Sequence, residues 1–252
     1  VLDGGSVLWV GAHPDDETTA AVLLEQWCQP SRARCTFLVL TRGEGGQCGL
    51  PGGCVPDLGA VRTLEMQTSA RLFGAHLVQE TLPNASATVD DARTSWVNAA
   101  GSEDALIERV AQVMRANAVD TLVTFDPRHG VTCHGEHRVA GALAIAAAER
   151  VGLAADRLLL LGSTLFLREA APGVRCLLGF AAAAPADPSL KVQAPALSSW
   201  NRAVEVMRTH ASQFDATTVS AFAAAPATLR SSWYVWVADT VAEDPNYARL
   251  CE

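Results

Sequence analysis

Apolar positions along the chain gather into short, nearly continuous runs separated by longer stretches of mixed character. Ser6–Ala12 (SVLWVGA) and Cys35–Thr41 (CTFLVLT) are runs of aliphatic and β-branched residues that predict buried strands. His76–Leu82, Thr121–Phe125 and Leu158–Leu167 predict a third, fourth and fifth strand. The stretches between them predict helices: Glu17 to about Trp27, Val61–Phe73 stopped by Gly74, and Glu136–Arg150. Another helix runs to about Asn117, with Ser102 as its cap and Glu103 and Asp104 at its positive end. Strand and helix in alternation imply right-handed βαβ units, hence an α/β, Rossmann-like, mainly parallel sheet with helices on both faces. The final third is less regular and predicts an irregular C-terminal extension. Ala181–Pro195 is rich in Ala and Pro and reads as a loop or lid, Leu197–Phe214 as a helix, and Trp233–Val237 (WYVWV) as a late strand. No repeat or linker divides residues 1–252, so a single domain is expected.

Composition narrows the function classes. The chain is 49% hydrophobic and 18% charged, the balance of a globular domain. A formal charge of -8 speaks against a nucleic-acid partner, which wants clustered Lys and Arg; mild acidity otherwise serves solubility. The longest apolar segments, around Leu143–Ala148 and Leu158–Leu161, fall far short of the roughly 20 residues that cross a bilayer, so no transmembrane segment is expected. The chain begins at Val1 and not at Met, which points either to removal of something before it or to a trimmed chain. Seven cysteines are present. Cys28 and Cys35 flank a segment with Pro30 and Ser31, while Cys48 and Cys54 enclose Gly49, Pro51, Gly52 and Gly53. Each spacing suits a disulfide that closes a loop, and two such bonds imply a secreted or periplasmic location; reduced thiols would imply the cytoplasm. A third pair, Cys176 with Cys251, would leave Cys133 free. No CxxC pair exists, which speaks against a Cys-only metal site.

The polar residues that stand out lie where strands end. His13-Pro14-Asp15-Asp16-Glu17 follows the first strand, and on a strand-to-helix turn His13 and Asp16 can converge on one ion while Asp15 faces its water. The plainer reading makes Asp15 or Asp16 a helix cap and Pro14 a helix-start proline. His134-Gly135-Glu136-His137 follows the fourth strand, through the loop Asp126–Gly130, and its two histidines share a face at a helix start. In a parallel sheet both clusters open on one edge, beside the Gly-rich loop Gly43–Gly59 that follows the second strand. Imidazole and carboxylate donors suit Zn²⁺ first, though Fe(II) or Co(II) accept the same set.

Ala12-His13-Pro14-Asp15-Asp16-Glu17 resembles the signature of the PIG-L/LmbE-like de-N-acetylases, which act on N-acetylglucosamine-containing substrates. Thr41-Arg42-Gly43-Glu44-Gly45-Gly46 resembles that family's TxGExG loop, and Arg62 with Glu65 its RxxE helix. His134 with His137 resembles its HPDH segment, and His210 with Ser212 and Gln213 its late HxSQ motif. The resemblance implies His13, Asp16 and His137 as zinc ligands and Asp15 as general base for the attacking water. It makes His134 the group that stabilises the oxyanion or protonates the leaving amine, and Arg62 and Glu44 candidates for gripping an amino-sugar-containing small molecule or oligosaccharide. Two departures bear on the substrate. Gly135 and Glu136 replace the usual Pro-Asp, with Glu136 expected to orient His134 through a longer side chain. Asn84 follows Leu82-Pro83 where relatives often carry an Asp that holds a sugar hydroxyl; its amide is expected to serve instead. The implied activity is zinc-dependent removal of an N-acetyl group. The alternatives are hydrolysis of another acyl amide, such as a glycopeptide or thiol conjugate, and a non-catalytic carbohydrate-binding protein, which would have no need of Asp15 and His134. Among the rest, Trp27 and Trp96 read as packing residues, His76 and His129 as incidental, and His210 as a candidate for lining the cleft. Trp200, Trp233, Tyr234 and Trp236 are candidates for a substrate rim.

Overall fold

Successive residues of β1 (Gly5–Gly11) face opposite helical layers, and both sets are apolar. Val7 and Trp9 enter one core while Leu8 and Val10 enter the other; in β2 (Ala33–Thr41), Phe37 and Val39 join the first and Leu38 and Leu40 the second. A strand covered on both sides gains nothing from polar alternation, which is why these runs are continuous. The computed structural model describes residues 5–29, 31–84, 88–128, 130–161, 190–192, 197–224 and 233–237. Its remaining strands are β3 (His76–Leu82), β4 (Thr121–Phe125), β5 (Leu158–Leu161), β6 (Leu190–Val192) and β7 (Trp233–Val237). Together they form one sheet of order β3-β2-β1-β4-β5-β7-β6, in which β1 to β5 are parallel and β7 runs antiparallel to both β5 and β6.

The first core is covered by α1 (Ala21–Trp27), α2 (Leu58–Leu72), α6 (Leu197–Thr209) and α7 (Ala216–Ala223), the second by α3 (Val89–Ala100), α4 (Glu103–Ala116) and α5 (Gly135–Val151). Several boundaries differ from expectation for local reasons. Asp16–Thr19 is a 3₁₀ turn and α1 starts only at Ala21. The Thr18 and Thr19 hydroxyls donate to the carbonyls of Asp15 and Asp16 at 2.6 Å each, an alternative to the helical ladder. α2 starts three residues early, where the Asp57 carboxylate accepts from the Ala60 N–H. The helix expected over Leu197–Phe214 stops at Thr209, and α7 begins after an Asp215 cap. α3 was not anticipated at all. The strand expected to Leu167 is described only to Leu161. The stretch read as a loop or lid, Ala181–Pro195, is described only at Leu190–Val192, which form β6.

Where α5 crosses the end of β4, a Cβ on Gly141 would stand 2.2 Å from the Phe125 carbonyl oxygen. Gly141→Ala should therefore destabilise the protein by about 1–3 kcal/mol, read from the shift of a denaturant midpoint. An unchanged midpoint would mean that the helix sits less tightly on the strand than described.

Cys28–Cys35 and Cys48–Cys54 are disulfides, as the spacing suggested. Cys133 is disulfide-bonded as well, so the expectation that Cys133 is the free thiol is wrong. No helix among the described residues is long and apolar enough to cross a membrane.

Candidate metal centre and active site

Strand order reverses between β1 and β4, which are neighbours in space but far apart in the chain. Such a switch point leaves a crevice at the carboxyl ends of the strands, because the loops on its two sides lead away in opposite directions. The turn His13–Glu17 enters it from β1, the loops holding Glu44 and Asn84 from β2 and β3, and the segment Gly130–His137 from β4.

Three donor atoms meet there. His13 Nδ1 and His137 Nε2 are 3.1 Å apart, His137 Nε2 and Asp16 Oδ1 3.0 Å, and His13 Nδ1 and Asp16 Oδ1 3.5 Å. Donors bound about 2.0–2.1 Å from a tetrahedral ion lie about 3.3–3.4 Å apart, so the triangle has the right size for Zn²⁺. The other polar atom of each residue is occupied by the fold. His13 Nε2 faces the Glu136 carboxylate at 2.5 Å, and His137 Nδ1 donates to the Gly130 carbonyl at 2.9 Å. Asp16 Oδ2 accepts from the Ala12 and His13 amides at 2.7 and 2.8 Å. Such outer partners fix the tautomer and aim of a metal-binding imidazole. Burial alone would lower the His13 pKa, but the carboxylates of Asp16 and Glu136 outweigh it and raise it to about 10. Burial opposes ionisation of Asp16, and the His137 and His13 imidazoles overcome it, holding its pKa well below the usual carboxylate range. Without an ion the site thus holds a proton that a cation would displace. His134 is also near: one ligand atom each of His13, His134 and His137 lie within 4.8 Å of one another.

Asp15 points elsewhere. Its backbone is left-handed, φ 106°, and its carboxylate lies 3.0 Å from Arg62 Nη2. Arg62 is buried and also donates to the carbonyls of Pro14 and Gly43. The guanidinium is therefore engaged inside the protein, in contrast to its expected place as a sugar grip. Gly43 has φ 67°, and a Cβ there would lie 2.4 Å from Arg62, so glycine alone lets the loop close over that side chain. Burial pushes the Asp15 pKa up, Arg62 pulls it down, Asp16 pushes it up again, and the result is about 6. Behind it, Glu17 is fully buried and accepts from the Asp15 amide, the Ser69 hydroxyl and His210. Glu17 received no role from the sequence, although the motif that contains it was the strongest signal present. His210 is fully buried, not cleft-lining.

Asp15, Val131 and Cys133 are three of the four non-glycine residues with positive φ among the described residues, and all three flank the donor triangle. Strain concentrated in this way marks a functional site. His134 caps α5, its Nδ1 accepting from the Glu136 amide at 3.2 Å. Burial, then the neighbouring His137 and His13, lower its pKa to about 4, so the ring is neutral at pH 7. A dication between those histidines would act in the same direction. Glu136 reaches His13 and not His134, against expectation: its Oε2 also accepts from Asn84 Nδ2 at 2.5 Å. Asn84 Oδ1 accepts from the Gly45 amide, and the Asn84 amide donates to exposed Glu44. Trp96 is buried with its indole N–H on the Pro83 carbonyl, as a packing residue should be, and Trp27 is partly buried against the core. Trp200 is 1% exposed and stacks on Phe222, so it forms no rim. His76 is exposed at the start of β3, and His129 lies outside the described residues.

The family model described as PIG-L, GlcNAc-PI de-N-acetylase, matches residues 8–148, more than half of the chain and the segment that carries every donor. The chain belongs to the PIG-L family. No curated protein matches it by sequence. Solved structures similar to this PIG-L chain include the N,N'-diacetylchitobiose deacetylase from Pyrococcus horikoshii, with 16% identity, 96% of this chain and 88% of that chain covered, and a TM-score of 0.60. The A40926 pseudoaglycone deacetylase is 15% identical over 96% of this chain and 100% of that one, with a TM-score of 0.62. The 4-carboxy-2-hydroxymuconate hydratase from Pseudomonas putida is 14% identical over 92% and 95%, with a TM-score of 0.59. Two deacetylases beside a hydratase mean that the fold alone does not choose the reaction; the PIG-L match and the site must do so.

Proposed function

We propose that the chain is a zinc-dependent de-N-acetylase acting on an N-acetylglucosamine-containing substrate, with His13, Asp16 and His137 holding the ion. The observation that carries the reading is the donor triangle, with the second polar atom of each residue already bonded to the protein. Two imidazoles and a carboxylate leave a position open, as catalytic zinc requires. When bound, Zn²⁺ polarises the amide carbonyl and brings the pKa of water towards ~7, within reach of a carboxylate base.

The residues divide the remaining work. Asp15, held by Arg62 beside the triangle, takes the proton of the attacking water. A pKa of about 6 leaves it ionised at neutral pH yet still basic enough to accept that proton. His134 accepts at Nδ1, so its proton sits on Nε2, which donates to the oxygen that gains charge as the amide carbon becomes tetrahedral. A neutral imidazole has no spare proton at pH 7. The proton needed by the departing amine is then the one Asp15 collected. Arg62 serves as a positioning residue for the base, and Glu44, exposed at the mouth, contacts the sugar.

This division fixes a pH dependence. Asp15 is inactive once protonated, so kcat/KM should fall as pH drops through a limb at or below about 6, because a cation next to Asp15 only lowers its pKa. His134→Gln should reduce the rate and leave that limb in place; a limb that vanishes with His134 would assign it to the imidazole instead.

One observation favours a second reading, hydrolysis of another acyl amide. Asn84 gives its side chain to Glu136 and Gly45, and so stands committed at the position where relatives often hold a sugar hydroxyl. Acetate release from N-acetylglucosamine, chitooligosaccharides, an inositol-linked N-acetylglucosamine and an acylated glycopeptide separates the two. Turnover of the amino sugars supports the first reading, turnover of the glycopeptide alone the second, and release from none of them overturns both.

A further inference from the structure

Among the motifs of the sequence, His210-x-Ser212-Gln213 has no part in the chemistry above, yet it hydrogen-bonds to Glu17 in the turn that carries Asp15, to Glu65 on α2 and to Gln47 and Gly49 in the loop after β2. The turn follows α6 directly. His210 Nε2 lies 2.5 Å from Glu17 Oε1, and both side chains are fully buried. The same Glu17 oxygen accepts from the Ser69 hydroxyl at 2.5 Å, while Oε2 accepts from the Asp15 amide at 3.2 Å. Ser212 donates from its amide and hydroxyl to Glu65, on α2 one turn after Arg62. The Ser212 carbonyl accepts from the Gly49 amide at 2.8 Å, and the Gln213 side chain donates from Nε2 to the Gln47 carbonyl at 3.0 Å. Gly49 lies inside the loop closed by Cys48–Cys54, and Gln47 immediately precedes it.

Asp15 needs such support. A non-glycine residue at φ 106° keeps that conformation only where its surroundings fix it. Arg62 fixes the carboxylate end of Asp15, and Glu17 fixes its backbone end. A carboxylate offers two acceptor oxygens, so Glu17 can satisfy His210, Ser69 and Asp15 together; a carboxamide, with one, cannot.

We propose that His210 is a positioning residue for the general base: through Glu17 it holds the backbone of Asp15 in its left-handed conformation, and the turn His210–Gln213 ties that hold to the loop Gly43–Gly59. This rests on the reading of Asp15 as base and adds the means by which the fold keeps the base in place. His210 is fully buried, and its described side-chain hydrogen bond goes to Glu17 and not to a metal donor.

The test uses His210→Phe, which fills the space without donating, and Glu17→Gln, each alone and combined with Asp15→Asn, with acetate release and bound metal measured together. Each single variant should keep one ion per chain and a KM within about 2-fold, while kcat falls by about 10- to 10²-fold. In the Asp15→Asn background the same substitutions should cost nothing more, because the residue they position no longer acts. A kcat within about 2-fold of the parent, or an equal fractional loss in both backgrounds, would overturn the proposal. Either variant decides if the other does not fold, and failure of both to fold would show a purely architectural pair. Near-parent turnover of Asp15→Asn by itself would instead remove the base assignment.

Discussion

Asp15→Asn should retain its metal and lose acetate release by at least ~10²-fold, the lower end for removing a positioned acid or base. The substitution keeps the size of the side chain and an oxygen that can face Arg62, so the turn has little reason to move. It removes only the ability to take a proton. The plainer view of Asp15 as a helix cap makes the opposite forecast: a stability loss of ~1 kcal/mol and near-normal turnover. The geometry disfavours it, since Asp15 precedes the 3₁₀ turn without any side-chain cap hydrogen bond. Metal content, a thermal melt and kcat on one preparation separate the two. A folded, metal-loaded Asp15→Asn protein with near-parent kcat would sink the mechanism even if the ligands stand.

His137→Ala should abolish metal binding, and Glu136→Gln should weaken it by about 10- to 100-fold, the usual range for an outer-shell partner. The first change removes one corner of the triangle and leaves buried Asp16 facing His13 alone. The second leaves all three donors in place and neutralises the carboxylate on His13 Nε2, so the imidazole presents a less basic Nδ1 to the ion. Competition against a chelator of known affinity measures both. Full occupancy in His137→Ala would refute the ligand set, and unchanged affinity in Glu136→Gln would reduce that carboxylate to a packing contact.

The strands and their shared edge were legible because strands buried on both faces need nearly continuous apolar runs, and β1, β2 and β4 are such runs. That pattern alone places His13, Asp16, His134 and His137 at one edge of the sheet. α3 escaped because only Ala92 and Trp96 of its twelve residues are buried, too thin a stripe to read as a period. Its ends were written plainly: Thr88 caps it, Asp90 and Asp91 open it, and Gly101 closes it at φ 90°. The partners of Arg62, Asn84 and Glu136 were not legible, because spacing along a chain says nothing of which loop a side chain meets across a crevice. The added methylene of Glu136 is plain in the sequence, but its consequence, a reach to His13, depends on where Asn84 and the β1 turn lie. The same holds for His210 and Glu17, which meet only because α6 returns to the face of α1.

The measurement that bears most directly on the whole account is a titration of metal-free protein with Zn²⁺, following acetate release from an N-acetylglucosamine substrate at each addition. Activity should start at background, rise linearly, and break at one ion per chain, with His137→Ala flat throughout. Full acetate release from the chelated protein before any zinc is added would contradict the metal centre and the mechanism built on it.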